Sequence, residues 1–127
     1  MNEANALAVL VVEDDPAVRE FVVDALRDEG YPVEVARDGA EAITALRAGS
    51  PPPDRLCLVL LDMMLPKADG VDVLRALTDL GGYVPVVAMS ADRARLSEAR
   101  AAGAQATVAK PFDLDRLIET VERTCRA

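Results

Sequence analysis

Three acidic residues in a row, Glu13, Asp14 and Asp15, follow the apolar run LAVLVV (7–12), and Asp62 follows a second such run, LCLVLL (56–61). Ser90 closes VPVVAMS (84–90), and Lys110 comes directly after ATVA (106–109). Two carboxylates about 4 Å apart repel by roughly 4 kcal/mol at an effective dielectric of about 20. If Glu13, Asp14 and Asp62 meet, they therefore need a proton or a cation among them. Oxygen ligands with neither His nor Cys among them suit Mg²⁺, or Mn²⁺, rather than zinc. Mg²⁺ characteristically combines one or two carboxylates with waters and phosphate oxygens. A carboxylate can also act as a nucleophile and form an aspartyl phosphate, with neighbouring cations offsetting the transition-state charge. The pattern fits a magnesium–phosphate site in which Asp62 accepts the phosphoryl group.

What the chain lacks narrows the chemistry. It has no histidine, which removes Ser-His and Cys-His hydrolysis, His-ligated zinc and a phosphohistidine of its own. Two lysines, Lys67 and Lys110, stand against twelve arginines, so the retained ammonium groups invite a specific reason. A net charge of −8 disfavours nucleic acid or an anionic membrane as a direct partner. No apolar run approaches the roughly 18 residues of a membrane span, and residues 1–6 do not read as a signal peptide. Cys57 and Cys125 read as core thiols, consistent with a reducing cytoplasm.

These residues must be positioned by alternating elements. LAVLVV is apolar enough for a parallel strand covered on both faces. Asp15 and Pro16 then read as helix cap and first helical residue, and the helix carries Val18, Phe21, Val22, Ala25 and Leu26 before stopping near Gly30. PVEVA (32–36) alternates as a half-exposed edge strand. DGAE (38–41) has capping-box spacing and starts a short helix with Ala42, Ile43 and Leu46. GSPPPD (49–54) is a stiff connector, and LCLVLL is the most apolar strand. Asp69–Gly70 reads as the turn into a third helix, marked by Val71, Leu74 and Leu77 and ending at Gly81–Gly82. The helix over 92–102 offers little to bury beyond Leu96 and Ala99, and Gly103 ends it. A last helix carries the stripe Leu114, Leu117, Ile118, Val121 and Cys125.

Such alternation predicts an α/β fold, a doubly wound five-stranded parallel sheet with helices on both faces. The half-exposed second strand belongs at an edge and the most apolar third strand in the middle, which gives the flavodoxin-like order 2-1-3-4-5. Ligands then sit at the carboxyl ends of the strands where the winding reverses, between strands one and three. With neighbouring strands about 4.8 Å apart, Asp14 and Asp62 face one another, Ser90 lies one spacing beyond Asp62, and Lys110 two spacings away, at a distance that a long side chain spans.

Together the motifs VLVVEDDPAVR, LVLLDMMLPKADG, VVAMSA and AKPF, in this order and each at a predicted strand end, resemble the receiver domain of two-component response regulators. The resemblance runs from Leu7 to Ala127 and implies one receiver domain over residues 1–127 with no output domain in this chain. It implies that Asp62 is the phospho-acceptor, that Asp14, Asp62 and the backbone carbonyl of Met64 hold Mg²⁺, and that Glu13 does so through water. Ser90 and Lys110 take the phosphate-binding and switch positions, and the Lys110–Pro111 bond is expected to be cis. The implied partner is a histidine kinase or a histidine phosphotransfer protein. The implied role is a regulatory switch that assists its own phosphorylation and dephosphorylation, rather than a metabolic enzyme.

One position departs from the pattern. Receivers usually carry an aromatic residue three places before the lysine, where this chain has Thr107. The alternative is a receiver fold kept for protein contact without phosphorylation. A flavodoxin would want Gly, Ser or Thr in the 12–16 loop. A haloacid-dehalogenase-like phosphatase would want a second Asp where Met64 stands. Lys67 reads as a solvated loop charge.

Overall fold

In the computed structural model the residues described are 7–65, 69–80 and 84–126. The chain runs β1 (Ala8–Val12), α1 (Pro16–Asp28), β2 (Val33–Ala36), α2 (Gly39–Arg47), a 3-10 turn (Pro53–Arg55), β3 (Leu56–Asp62), α3 (Gly70–Asp79), β4 (Val86–Ser90), α4 (Arg93–Ala101), β5 (Ala106–Ala109) and α5 (Leu114–Arg126). All five strands pair in parallel in the order β2-β1-β3-β4-β5. The expected α/β topology is therefore the observed one, with the half-exposed β2 at an edge and β3 at the centre.

Strand alternation divides the interior into two cores. Val9 and Val11 of β1, Leu58 and Leu60 of β3, and Val87 and Met89 of β4 pack with Val22 and Leu26 of α1 and Leu117 and Val121 of α5. The intervening residues Leu10, Val12, Val59, Leu61, Val86 and Ala88 face the opposite core, with Leu46 of α2, Val73, Leu74 and Leu77 of α3, and Ala99 of α4. Each leucine or valine so buried contributes about 1.5–3 kcal/mol. By that measure α3 is firmly seated and α4 weakly: Ala99 is its one fully buried residue.

Caps set where the helices begin. Asp15 accepts from the N–H groups of Ala17 and Val18, and Pro16 occupies the first turn. Asp38 accepts from Glu41 N–H, while Glu41 reaches one residue past the cap to Arg37 N–H. A full capping box joins Asp69 and Asp72 at α3, a pairing not anticipated from the sequence. The helix ends behave as expected at Gly103, which adopts φ +111° just past Ala102, the C-cap of α4. Lys67, Gly81–Gly82 and residues 1–6 lie outside the described residues.

The cysteines differ from expectation. Cys57 and Cys125 are joined in a disulfide between the start of β3 and the last turn of α5, with Cα atoms 5.3 Å apart and 68 positions apart in sequence. The helical stripe through Leu117 and Val121 packs with the sheet and delivers Cys125 to the start of β3, where both cysteines are only half-buried. The reading of two separate core thiols is corrected. No helix among the described residues is long and apolar enough to cross a membrane.

Candidate functional site

Backbone ladders deliver the polar residues to one end of the sheet. Beyond the strand pairings, Glu13 N–H donates to Ala36 C=O, Met63 N–H to Met89 C=O and Lys110 N–H to Ser90 C=O. The residues that follow β1, β3 and β5 are thus pinned to neighbouring strand ends rather than left in free loops. Glu13 (1% exposed), Asp62 (4%) and Ser90 (1%) are the buried polar residues among those described. Buried charge on this scale persists only with partners.

Those partners are present. Lys110 Nζ donates to Glu13 Oε1 at 2.7 Å and to Asp62 Oδ2 at 3.3 Å. The other Asp62 oxygen, Oδ1, accepts from Met64 N–H at 2.9 Å. Asp14 lies exposed at the mouth, and Glu13, Asp14 and Asp62 each offer an oxygen within 4.8 Å of the others. Arg19 donates to the carbonyls of Glu13 and Asp14 and secures the turn that presents them. Ser90 Oγ accepts from Asp92 N–H at 3.0 Å, at the entrance to α4. The Lys110–Pro111 bond is cis, as is Ser50–Pro51.

Electrostatics reflect the crowding. Burial, and then the adjoining Asp62 carboxyl, push the Glu13 carboxyl up to about 7, with Lys110 pulling the other way. Burial works to lower Lys110, but the combined pull of Glu13 and Asp62 outweighs it, and its ammonium is held above the ordinary lysine value. One ammonium serves two carboxylates while a third stands at the rim. An oxygen-only donor set with surplus negative charge is what a hard divalent cation satisfies. The residues therefore fit Mg²⁺ or Mn²⁺, and fit zinc poorly.

Of the positions singled out in the sequence, the fold gathers Glu13, Asp14, Asp62, Met64, Ser90 and Lys110 at the carboxyl end of the sheet. Thr107 lies apart, on β5, where its hydroxyl accepts from Arg100 at 3.2 Å. The sequence reading missed Arg95. From the first turn of α4 it donates to Met63 C=O at 2.8 Å and pairs with Asp69 at 3.1 Å, closing one side of the pocket mouth. As one of twelve arginines outside any motif, it carried no signal in the sequence. The close seat of Gly70 on Met63 was also missed: a Cβ there would fall 2.9 Å from Met63 Cα.

Fold and site together define a flavodoxin-like α/β domain with an acidic pocket at its switch point, closed by one lysine. The chain belongs to the response regulator receiver domain family, whose model matches residues 9–122. It is 39% identical over 121 residues to the response regulator MprA of Mycolicibacterium vanbaalenii, a match that covers 93% of this chain and 50% of that protein. The chain thus spans about half the length of the curated relatives it matches. Among solved structures it resembles the receiver domain of NtrX from Brucella abortus (TM-score 0.82, 32% identity, 94% of this chain and 98% of that one). It also resembles the receiver domain of the sensor histidine kinase PA1611 from Pseudomonas aeruginosa, described with a magnesium ion coordinated in its active site cleft (TM-score 0.79, 27% identity, 96% and 99%).

Proposed function

We propose that Asp62 accepts a phosphoryl group from a phosphohistidine on a partner histidine kinase or phosphotransfer protein, and that the acyl phosphate switches the domain's conformation. The observation that carries this reading is the placing of Asp62. It is nearly buried, yet both its oxygens are held, one by Met64 N–H and one by the Lys110 ammonium, beside two further acids.

Asp62 attacks the phosphorus in line through one carboxylate oxygen. The new O–P bond forms as the P–N bond of the partner's phosphohistidine breaks, and the electron pair leaves with the imidazole. Lys110 offsets negative charge on the transferring group. Hydrolysis by water later returns the Asp62 carboxylate and inorganic phosphate. Asp14, Asp62 and the Met64 carbonyl would hold Mg²⁺, with Glu13 acting through water; when bound, the ion supplies charge neutralisation at the phosphoryl oxygens.

The readout follows from Ser90 and α4. Ser90 Oγ now accepts from Asp92 N–H. Turning its hydroxyl towards a phosphoryl group gives up that bond and frees the entrance of α4, a helix with little buried surface to resist movement. With Thr107 in place of an aromatic residue, the 90–93 loop and α4 carry the change in place of a bulky rotamer exchange.

Incubation with acetyl phosphate and Mg²⁺, followed by intact-mass analysis, tests the acceptor. One phosphoryl adduct on the wild type and none on Asp62→Asn is expected. An unmodified wild type would instead favour the phosphorylation-independent module. Amide exchange across residues 90–109 tests the switch, which predicts faster exchange in the phosphorylated state; an unchanged profile refutes it.

A further inference from the structure

Arg95 is joined to Asp62 through a single peptide unit. Its Nη2 donates to Met63 C=O at 2.8 Å, and the N–H of that same peptide, on Met64, donates to Asp62 Oδ1 at 2.9 Å. Nη2 also pairs with Asp69 at 3.1 Å, at the cap of α3. Nη1 pairs with Glu98 at 2.8 Å on the exposed side of α4. Nε is buried without a hydrogen-bond partner among the described residues, a cost that the guanidinium's other contacts must offset. Arg95 and Asp69 raise and lower one another's pKa as ion-pair partners do, and the pair stays charged at neutral pH.

The position of this guanidinium has two consequences. A charged donor on a peptide carbonyl makes a bond roughly twice as strong as a neutral one. It also polarises the peptide, so that the N–H on its far side becomes a better donor. Arg95 therefore strengthens the bond that orients Asp62 Oδ1 and fixes the plane from which the Met64 carbonyl follows. The same side chain is a principal tie of the first turn of α4, since that helix buries Ala99 alone among its residues. The other tie is Ser90 Oγ, which accepts from Asp92 N–H.

We propose that Arg95 is a positioning residue of the acceptor site: it holds the Met63–Met64 peptide in the orientation that aims Asp62 and the Met64 carbonyl, and through that hold couples the site to α4. The inference rests on the reading of Asp62 as acceptor with Met64 as a metal ligand, and goes beyond it in making α4 part of the site. The direction of coupling follows. Whatever draws the 63–64 peptide towards a bound ion or phosphoryl group pulls on Arg95, and so on α4. Conversely, a partner that displaces α4 loosens the peptide that orients Asp62.

The test uses the full chain in its unphosphorylated form, so that it does not depend on phosphotransfer. Mg²⁺ is titrated while the amide resonances of Met64 and Asp14 are followed, in wild type, Arg95→Gln, Arg95→Lys and Glu98→Gln. Loss of a residue that orients a metal ligand typically lowers affinity about 10–100-fold. Arg95→Gln is expected to weaken Mg²⁺ binding by about tenfold or more and to speed hydrogen exchange at Met64 N–H. Arg95→Lys keeps the charge without the fork and should fall between, and it is read in place of Arg95→Gln if that variant does not fold. Glu98→Gln removes the exposed pair alone and should bind as wild type does. A lower melting temperature with wild-type Mg²⁺ affinity and unchanged Met64 exchange would leave Arg95 a merely structural residue and overturn the proposal. If acetyl phosphate fails to label the wild type, the acceptor reading fails, while the titration still decides whether Arg95 orients the pocket.

Discussion

Lys110 Nζ lies 2.7 Å from Oε1 of Glu13, a residue 97 positions away in sequence, and stands closer to it than to Asp62 at 3.3 Å. The ammonium is held more closely by Glu13 than by Asp62, the proposed acceptor. Lys110 thereby neutralises the most deeply buried carboxyl of the pocket while remaining within reach of a group attached to Asp62.

Replacing Lys110 by Met should reveal both roles. Two buried acids lose their counter-charge, and the metal-free protein should lose about 1–3 kcal/mol. That is less than the ~3–5 kcal/mol of a fully buried pair, because the lysine side chain is 21% exposed. Labelling by acetyl phosphate should slow about 10²-fold, the usual penalty for removing one charge-stabilising donor. Urea unfolding and time-resolved intact mass measure the two effects, and labelling at the wild-type rate would refute the second.

The protonation of Glu13 makes stability depend on pH. Its carboxyl titrates near 4.5 when unexposed to the fold and near 7 within it. Folding therefore takes up a proton between those values. The contribution is fully present below about 4.5 and is lost as pH rises towards 7. In EDTA, the melting temperature of wild type should fall relative to Glu13→Gln across that range, since the amide carries no such proton. Mg²⁺ should reduce the fall, because it favours the ionised acids. A wild-type-to-variant gap independent of pH would contradict this account.

Gly70→Ala sets helix propensity against space. Alanine in the first turn of α3 would gain up to about 1 kcal/mol of propensity. Its Cβ would also fall 2.5 Å from Met63 Sδ and 2.9 Å from Met63 Cα. A backbone atom one residue from Asp62 cannot yield cheaply, so a net loss of about 1–3 kcal/mol is expected, with slower phosphorylation as the 63–64 peptide shifts. Calorimetry of the variant checks the sign. A more stable protein would mean that the loop accommodates the methyl group.

The disulfide closes a long loop that contains Asp62, Ser90 and Lys110. For 68 residues, loop-closure entropy corresponds to about 4 kcal/mol in the chain-entropy model. Reductant should therefore lower the unfolding midpoint of the wild type and leave Cys125→Ser unaffected. Titration of two free thiols in the native, unreduced protein would refute the link.

Much of the fold was legible because its signals are local. The apolar runs ending at Val12, Leu61 and Ser90, the cap at Asp15 and the glycine after α4 each report a backbone preference over a few residues. Alternation of strand and helix then left few topologies, and the strand order placed Asp14, Asp62 and Ser90 at one end of the sheet. The fold also gathers Lys110 there, because the long lysine stem reaches across β4.

What tertiary structure decided is which distant side chains meet. Sequence spacing places Lys110 near the acids without choosing Glu13 as its closer partner. It marks Cys57 and Cys125 as apolar-face residues without joining them, and it leaves Arg95 indistinguishable from the other arginines. These pairings depend on the angle at which α4, α5 and the start of α3 pack on the sheet. That angle is set by the summed fit of two cores, to which each residue contributes without encoding the result.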